Sequence, residues 1–173
     1  MKRAKNIALC GVLISLALVL SYVERFIPLQ MVIPLPGIKL GLANIVTLVA
    51  LFLLGPKNAY TIVIVRCVLG AIFGGGISGL LFSLTGGLLA LTVMLIASKV
   101  SCFSIFGVSI LGAAAHNIGQ ILVSMVLMNS VYIGAYLPYL LVIALFTGFA
   151  TASASAGVLR VLTKTQIGTE IFH

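Results

Sequence analysis

Arg66 stands in the middle of an apolar run long enough to cross a membrane, in a chain with only ten basic and two acidic residues among 173. A guanidinium stays charged, and a charge at the centre of hydrocarbon costs roughly 2.5–3.5 kcal/mol even on the lenient insertion scale. Such a side chain must face protein, water or an anion. Two uses fit. It binds or passes an anion, or it is structural, capped by backbone carbonyls or snorkelling to an interface about 12 Å away by helical rise. Further on, His116, Asn117 and Gln120 put three strong hydrogen-bonding side chains into about one helical turn. His116 and Gln120 share a face that Ser124 extends, while Asn117 lies roughly 100° round but within reach of Gln120. Such a cluster makes either the polar wall of a ligand site or a set of interhelical bonds worth about 0.6 kcal/mol each. Asn44 and Thr47, one turn apart, join Lys39 and the backbone of Gly37 and Gly41 at the end of another apolar run. Ser78, Thr85 and Thr92 recur at heptad spacing. Hydroxyls in membrane helices often bond their own backbone, which is the plainer use for these three.

What is missing narrows the chemistry. No nucleophile–base pair stands out, and no Gly-Lys-Ser/Thr loop could cradle phosphate. The chain has no aspartate, which excludes prenyl diphosphate chemistry on magnesium held by the usual Asp-rich motifs. His116 has no companion ligand of the right type, and His173 belongs to the tail, so no metal or other cofactor is expected. Cys10, Cys67 and Cys102 show neither metal spacing nor a disulfide framework and read as small apolar filler. The loops are too short for a nucleotide-binding domain. The chain is expected not to be an enzyme.

The elements that must position these groups follow from composition. The chain is 62% hydrophobic, with a mean hydropathy of +1.33, which marks a polytopic helical membrane protein. Residues 67–98 and 100–159 contain no Asp, Glu, Lys or Arg. A span needs about 20 residues, so the first stretch holds one and the second two. Charges and breakers predict six spans near residues 6–23, 40–55, 58–74, 77–98, 106–128 and 132–158, in one integral domain. Pro28, Pro34 and Pro36 preclude a regular helix in the loop after span one. Gly74-Gly75-Gly76 reads as a stop between spans three and four. The first span ends in Tyr22-Val23-Glu24-Arg25 rather than a small-x-small cleavage site, and reads as retained rather than as a signal peptide.

The net charge of +8 would suggest nucleic acid in a soluble protein. Here the basic residues sit in short loops. With six spans, Lys2, Arg3, Lys5, Lys57, Lys99, Arg160 and Lys164 share one side, against Arg25 and Lys39 on the other. That bias puts both termini in the cytoplasm and the proline-rich loop outside. Gly11 and Ser15 in span one, and Ala144, Gly148 and Ala152 in span six, form small-xxx-small faces. Such faces pack helices within one chain or dock another membrane subunit.

Leu20-Ser21-Tyr22-Val23-Glu24-Arg25, then Pro34-Leu35-Pro36-Gly37-Ile38-Lys39-Leu40-Gly41-Leu42-Ala43-Asn44-Ile45-Val46-Thr47, then Ala115-His116-Asn117-Ile118-Gly119-Gln120 together resemble the family called heptaprenyl diphosphate synthase component I, or Gx transporters. That family looks like the substrate-binding S components of energy-coupling factor (ECF) transporters. The resemblance implies an all-α bundle of six transmembrane helices in the cell membrane. It also implies a ligand site in the outer half, partly covered by the first outer loop. Small residues of helix one, here Gly11 and Ser15 where the family of S components often has alanines, would dock on a transmembrane coupling subunit with two cytoplasmic ATPases below it. The expected function is to bind a small metabolite, a vitamin or a quinone or isoprenoid precursor, and pass it inward. Lys39, Asn44, Arg66, His116, Asn117 and Gln120 would contact or shape the site, whose basic, amide-rich character suits an anionic or carbonyl-bearing ligand. The alternative is a non-transporting membrane accessory subunit for prenyl diphosphate or menaquinone synthesis.

Overall fold

The computed structural model describes residues 2–26 and 41–164. The three-proline loop, Lys39 and the last nine residues lie outside that range. The described residues are mostly helical, with no strand among them. Helix α1 (Lys2–Val23) ends in a short 3-10 turn, Glu24–Phe26, and α2 (Asn44–Leu54) follows. A helical stretch then runs from Pro56 to Ser98 in two limbs, α3 (Pro56–Gly70) and α4 (Gly76–Ser98), joined by the π-helical segment Ala71–Gly75. Helices α5 (Ile105–Leu127) and α6 (Leu137–Lys164) complete the chain.

The expected stop at Gly74-Gly75-Gly76 falls on a kink, where Phe73 and Gly74 leave helical φ/ψ. Helical hydrogen bonding widens to the π pattern there, and Gly74 takes a φ of +103° that a side chain would oppose. The limbs then fold back on each other. Tyr60 Oη and Thr92 Oγ1 lie 2.8 Å apart, although 32 residues of straight helix would separate them by about 48 Å. Pro56 opens α3 at a position whose missing N–H is spare. Pro138 does the same at the second residue of α6, so that helix starts later than residue 132 and residues 131–136 form a 3-10 turn instead.

The count of six spans is not met. Counted with α3 and α4 as one stretch across the kink there are five among the described residues, and four of them are long and apolar enough to cross a membrane: Ala4–Val23, Pro56–Ser98, Ile105–Leu127 and Val131–Leu162. Helix α2 has 11 residues, about 16 Å of rise against a hydrocarbon thickness near 30 Å. Taken alone, the 15-residue α3 also falls short. Together they make a short hairpin in the middle of the bundle. Helix α2 is the most enclosed element, with Val46, Thr47, Leu48, Val49 and Ala50 all buried. It touches α1, α3, α4 and α6.

Between helices in lipid, close fit and polar bonds replace the hydrophobic drive that operates in water. Helices α4 and α5 pack along their length, and glycines set the distance. A Cβ on Gly119 would come within 2.9 Å of the Gly86 Cα, and one on Gly112 would run into Met94. Helix α6 closes on α5 through Gly148, whose Cβ would lie 2.6 Å from the Ile110 Cα. Ser109 Oγ and Thr151 Oγ1, 2.6 Å apart, bond the same two helices. The Ala144, Gly148 and Ala152 face is therefore internal. Helix α1 sits at the rim, with little of its length buried.

Candidate ligand-binding site

Five helices bring polar side chains to one small cleft. Its lining is Ser21 of α1, Glu24 of the turn after it, Gly41, Ala43 and Asn44 at the start of α2, Arg66 of α3, Ser83 of α4 and His116 of α5. Gly41 is required there twice over. Its φ is +83°, and a Cβ would lie 2.8 Å from Asn44 Nδ2 and 3.1 Å from His116 Cδ2. The Gly41 N–H donates to the buried Glu24 carboxyl, which ties the end of α1 to the start of α2. On α4, Gly86 and Gly87 leave room for the cleft's larger groups. A Cβ on Gly86 would lie 2.8 Å from His116 Nδ1, and one on Gly87 3.1 Å from Arg66 Nη2.

The expected site residues divide. Asn44, Arg66 and His116, from three helices, line the cleft together. Asn117 and Gln120 do not line it. Asn117 Nδ2 donates to the Leu140 carbonyl at 2.8 Å, joining α5 to α6, and Gln120 is wholly enclosed. Lys39 lies outside the described residues. Thr47 is buried, and its hydroxyl bonds the Ala43 carbonyl one turn back. Thr92 likewise donates to the Leu88 carbonyl. Glu24 is a lining residue that reading the sequence only as span ends overlooks. As one of two acidic residues in a chain of net charge +8, it carried a signal of its own.

Two residues of the cleft, Arg66 and Asn44, hold buried polar atoms without partners among the described residues. Arg66 is 5% exposed and Asn44 2%. Arg66 Nε and Nη2 and both amide atoms of Asn44 are buried with no hydrogen-bond partner among the described residues. Each such group costs about 1–3 kcal/mol. A fold keeps such costs where something else meets them: water, an ion or a ligand. The space between the side chains is narrow, with room for a group hardly larger than a water. No three His, Cys, Asp or Glu side chains among the described residues gather as metal ligands. The chemistry the cleft offers is hydrogen bonding and charge pairing.

Gly11 and Ser15 face outward on α1. Nothing lies within 4 Å of a Cβ placed on Gly11, and Ser15 Oγ donates to the Gly11 carbonyl at 3.0 Å. Ile7, Val12, Leu16 and Val19 are exposed on the same helix.

Asn117→Leu separates the two uses of the α5 cluster. Loss of the bond to Leu140 is expected to lower stability by about 0.6 kcal/mol, seen as a small drop in melting temperature. Any small molecule the protein retains should stay bound. Loss of that molecule would put Asn117 in the site.

Long apolar helices enclosing a polar cleft define a multi-pass membrane protein with a buried polar site. The chain belongs to the heptaprenyl diphosphate synthase component I family, whose sequence profile matches residues 13–158. No curated protein and no solved structure matches it.

Proposed function

We propose that the chain is the substrate-binding membrane component of an ECF-type uptake transporter. It would take up a small metabolite, of the vitamin or quinone and isoprenoid precursor kind, and work with a transmembrane coupling subunit and two separate ATPases. The observation that carries this is the set of donors on Arg66 and Asn44 without a partner among the described residues, in a cleft built from five helices. A purely structural arginine would be expected to cap carbonyls or reach an interface. The excess of basic residues at the ends remote from the cleft, Lys2, Arg3, Lys5, Lys99, Arg160 and Lys164, favours cytoplasmic termini and a cleft near the outer face of the cell membrane. Four full crossings give that parity whether or not the short α2–α3 hairpin reaches the far side. The open Gly11 and Ser15 face of α1 is the surface for the coupling subunit.

The family name favours a second reading, an accessory component for a prenyl diphosphate synthase, with the polar cleft structural. Gentle extraction from native membranes distinguishes the two. The transporter assignment expects a coupling subunit and ATPases to copurify, and native mass spectrometry to find a retained small molecule. Copurification of a soluble prenyl synthase, with no ATPase and no retained molecule, would sink it.

A further inference from the structure

We propose that the cleft is built for a single carboxylate group of the transported molecule; this rests on the binding-component reading above and narrows it to a class of substrate. The Arg66 nitrogens without a partner among the described residues are Nε and Nη2. These two carry the parallel N–H bonds along one edge of the guanidinium, the fork that meets both oxygens of a carboxylate at once. The Asn44 amide lines the same cleft and likewise has no partner among the described residues, so its Nδ2 adds a further donor.

Charge chooses among oxyanions. Arg66 is the one guanidinium or ammonium group among the described lining residues, and Glu24 contributes a carboxyl already engaged by the Gly41 N–H. Arg66 and Glu24 already offset each other, so a carboxylate adds one negative charge to the cleft where a phosphate monoester adds nearly two. The larger excess of a phosphate or diphosphate, buried beside Glu24, is the costlier. The space between the side chains holds about one water, so either anion must push side chains apart, and a flat carboxylate displaces less than a tetrahedral phosphate.

The test uses the full chain in lipid nanodiscs, dialysed exhaustively, with radiolabelled acetate as the probe at constant ionic strength. Saturable binding of about millimolar affinity is expected for so small a molecule. Acetamide, which has the same shape without the charge, should not compete. Inorganic phosphate and pyrophosphate should compete at least tenfold more weakly than unlabelled acetate. Arg66→Gln should weaken binding about tenfold or more, and Asn44→Ala by a smaller factor. If acetamide competes as well as acetate, the proposal fails, and that comparison needs no variant to fold. If phosphate or pyrophosphate competes better, the site takes a different anion and the carboxylate assignment is overturned. Absence of acetate binding also overturns it. A neutral molecule found by native mass spectrometry would then leave the binding-component reading intact, whereas no retained molecule would remove both.

Discussion

Arg66→Met is expected to leave the bundle as stable as before, or more stable, while retention of the bound molecule falls at least tenfold. The two halves of that result have one cause. Arg66 is almost wholly buried, and its Nε and Nη2 have no partner among the described residues. Each such donor costs about 1–3 kcal/mol where nothing meets it. Methionine is long and flexible enough to fill much of the same space without that cost, and replacing a buried charge by an apolar side chain is often neutral or stabilising. Removing an arginine that capped carbonyls would do the reverse, stranding its acceptors and lowering the melting temperature. Melting of the detergent-solubilised protein by circular dichroism, alongside native mass spectrometry, reads both quantities. A clear fall in melting temperature with retention unchanged would make Arg66 structural.

Gly148→Ala should destabilise the protein by about 1–3 kcal/mol, whereas Gly11→Ala should change its stability by less than about 0.5 kcal/mol. The would-be Cβ of Gly148 meets the Cα of Ile110 at 2.6 Å and its backbone N at 3.1 Å. Backbone atoms cannot swing aside like the end of a side chain, so α5 and α6 must part. The Ser109–Thr151 pair, one turn away, is then pulled from its 2.6 Å contact, and the bond from Asn117 to Leu140 is strained with it. Around Gly11 there is nothing to strike. A bulky residue there, Gly11→Leu, should leave melting alone but reduce copurification of a membrane partner. If Gly11→Leu leaves copurification intact, that face does not dock the partner.

These two glycines also show what a single sequence leaves open. Gly11-x-x-x-Ser15 and Ala144-x-x-x-Gly148-x-x-x-Ala152 follow the same small-residue pattern, yet one face is open and the other closed against α5. The pattern says that a helix can be approached closely but not by what. The α5 cluster divides in a similar way. His116 and Asn117 are adjacent, but successive residues on a helix point about 100° apart. With α4 on one side and α6 on another, His116 lines the cleft while Asn117 bonds across to Leu140. Periodicity measures the angle between the two side chains and is silent on which neighbour stands at which angle. Glu24 escaped for another reason. At the end of an apolar run a carboxylate looks like a marker of the water interface, and only the return of the chain at Gly41 encloses it.

By itself the sequence determined that this is a helical membrane protein, where the apolar stretches run, and which few polar residues must answer for their place among them. It could do so because burying a charge or an amide in an apolar setting is expensive, and Arg66, Asn44 and His116 stand out against that background. Only the tertiary structure decided how deeply α2 is enclosed, and that Arg66, Asn44 and His116 meet Glu24 in one cleft while Asn117 and Gln120 stay outside it. Those outcomes depend on how far apart the helices sit and how each is turned about its axis. Both are set by contacts between residues remote in the chain, such as Gly86 with Gly119 and Tyr60 with Thr92, which leave no periodic trace in either segment.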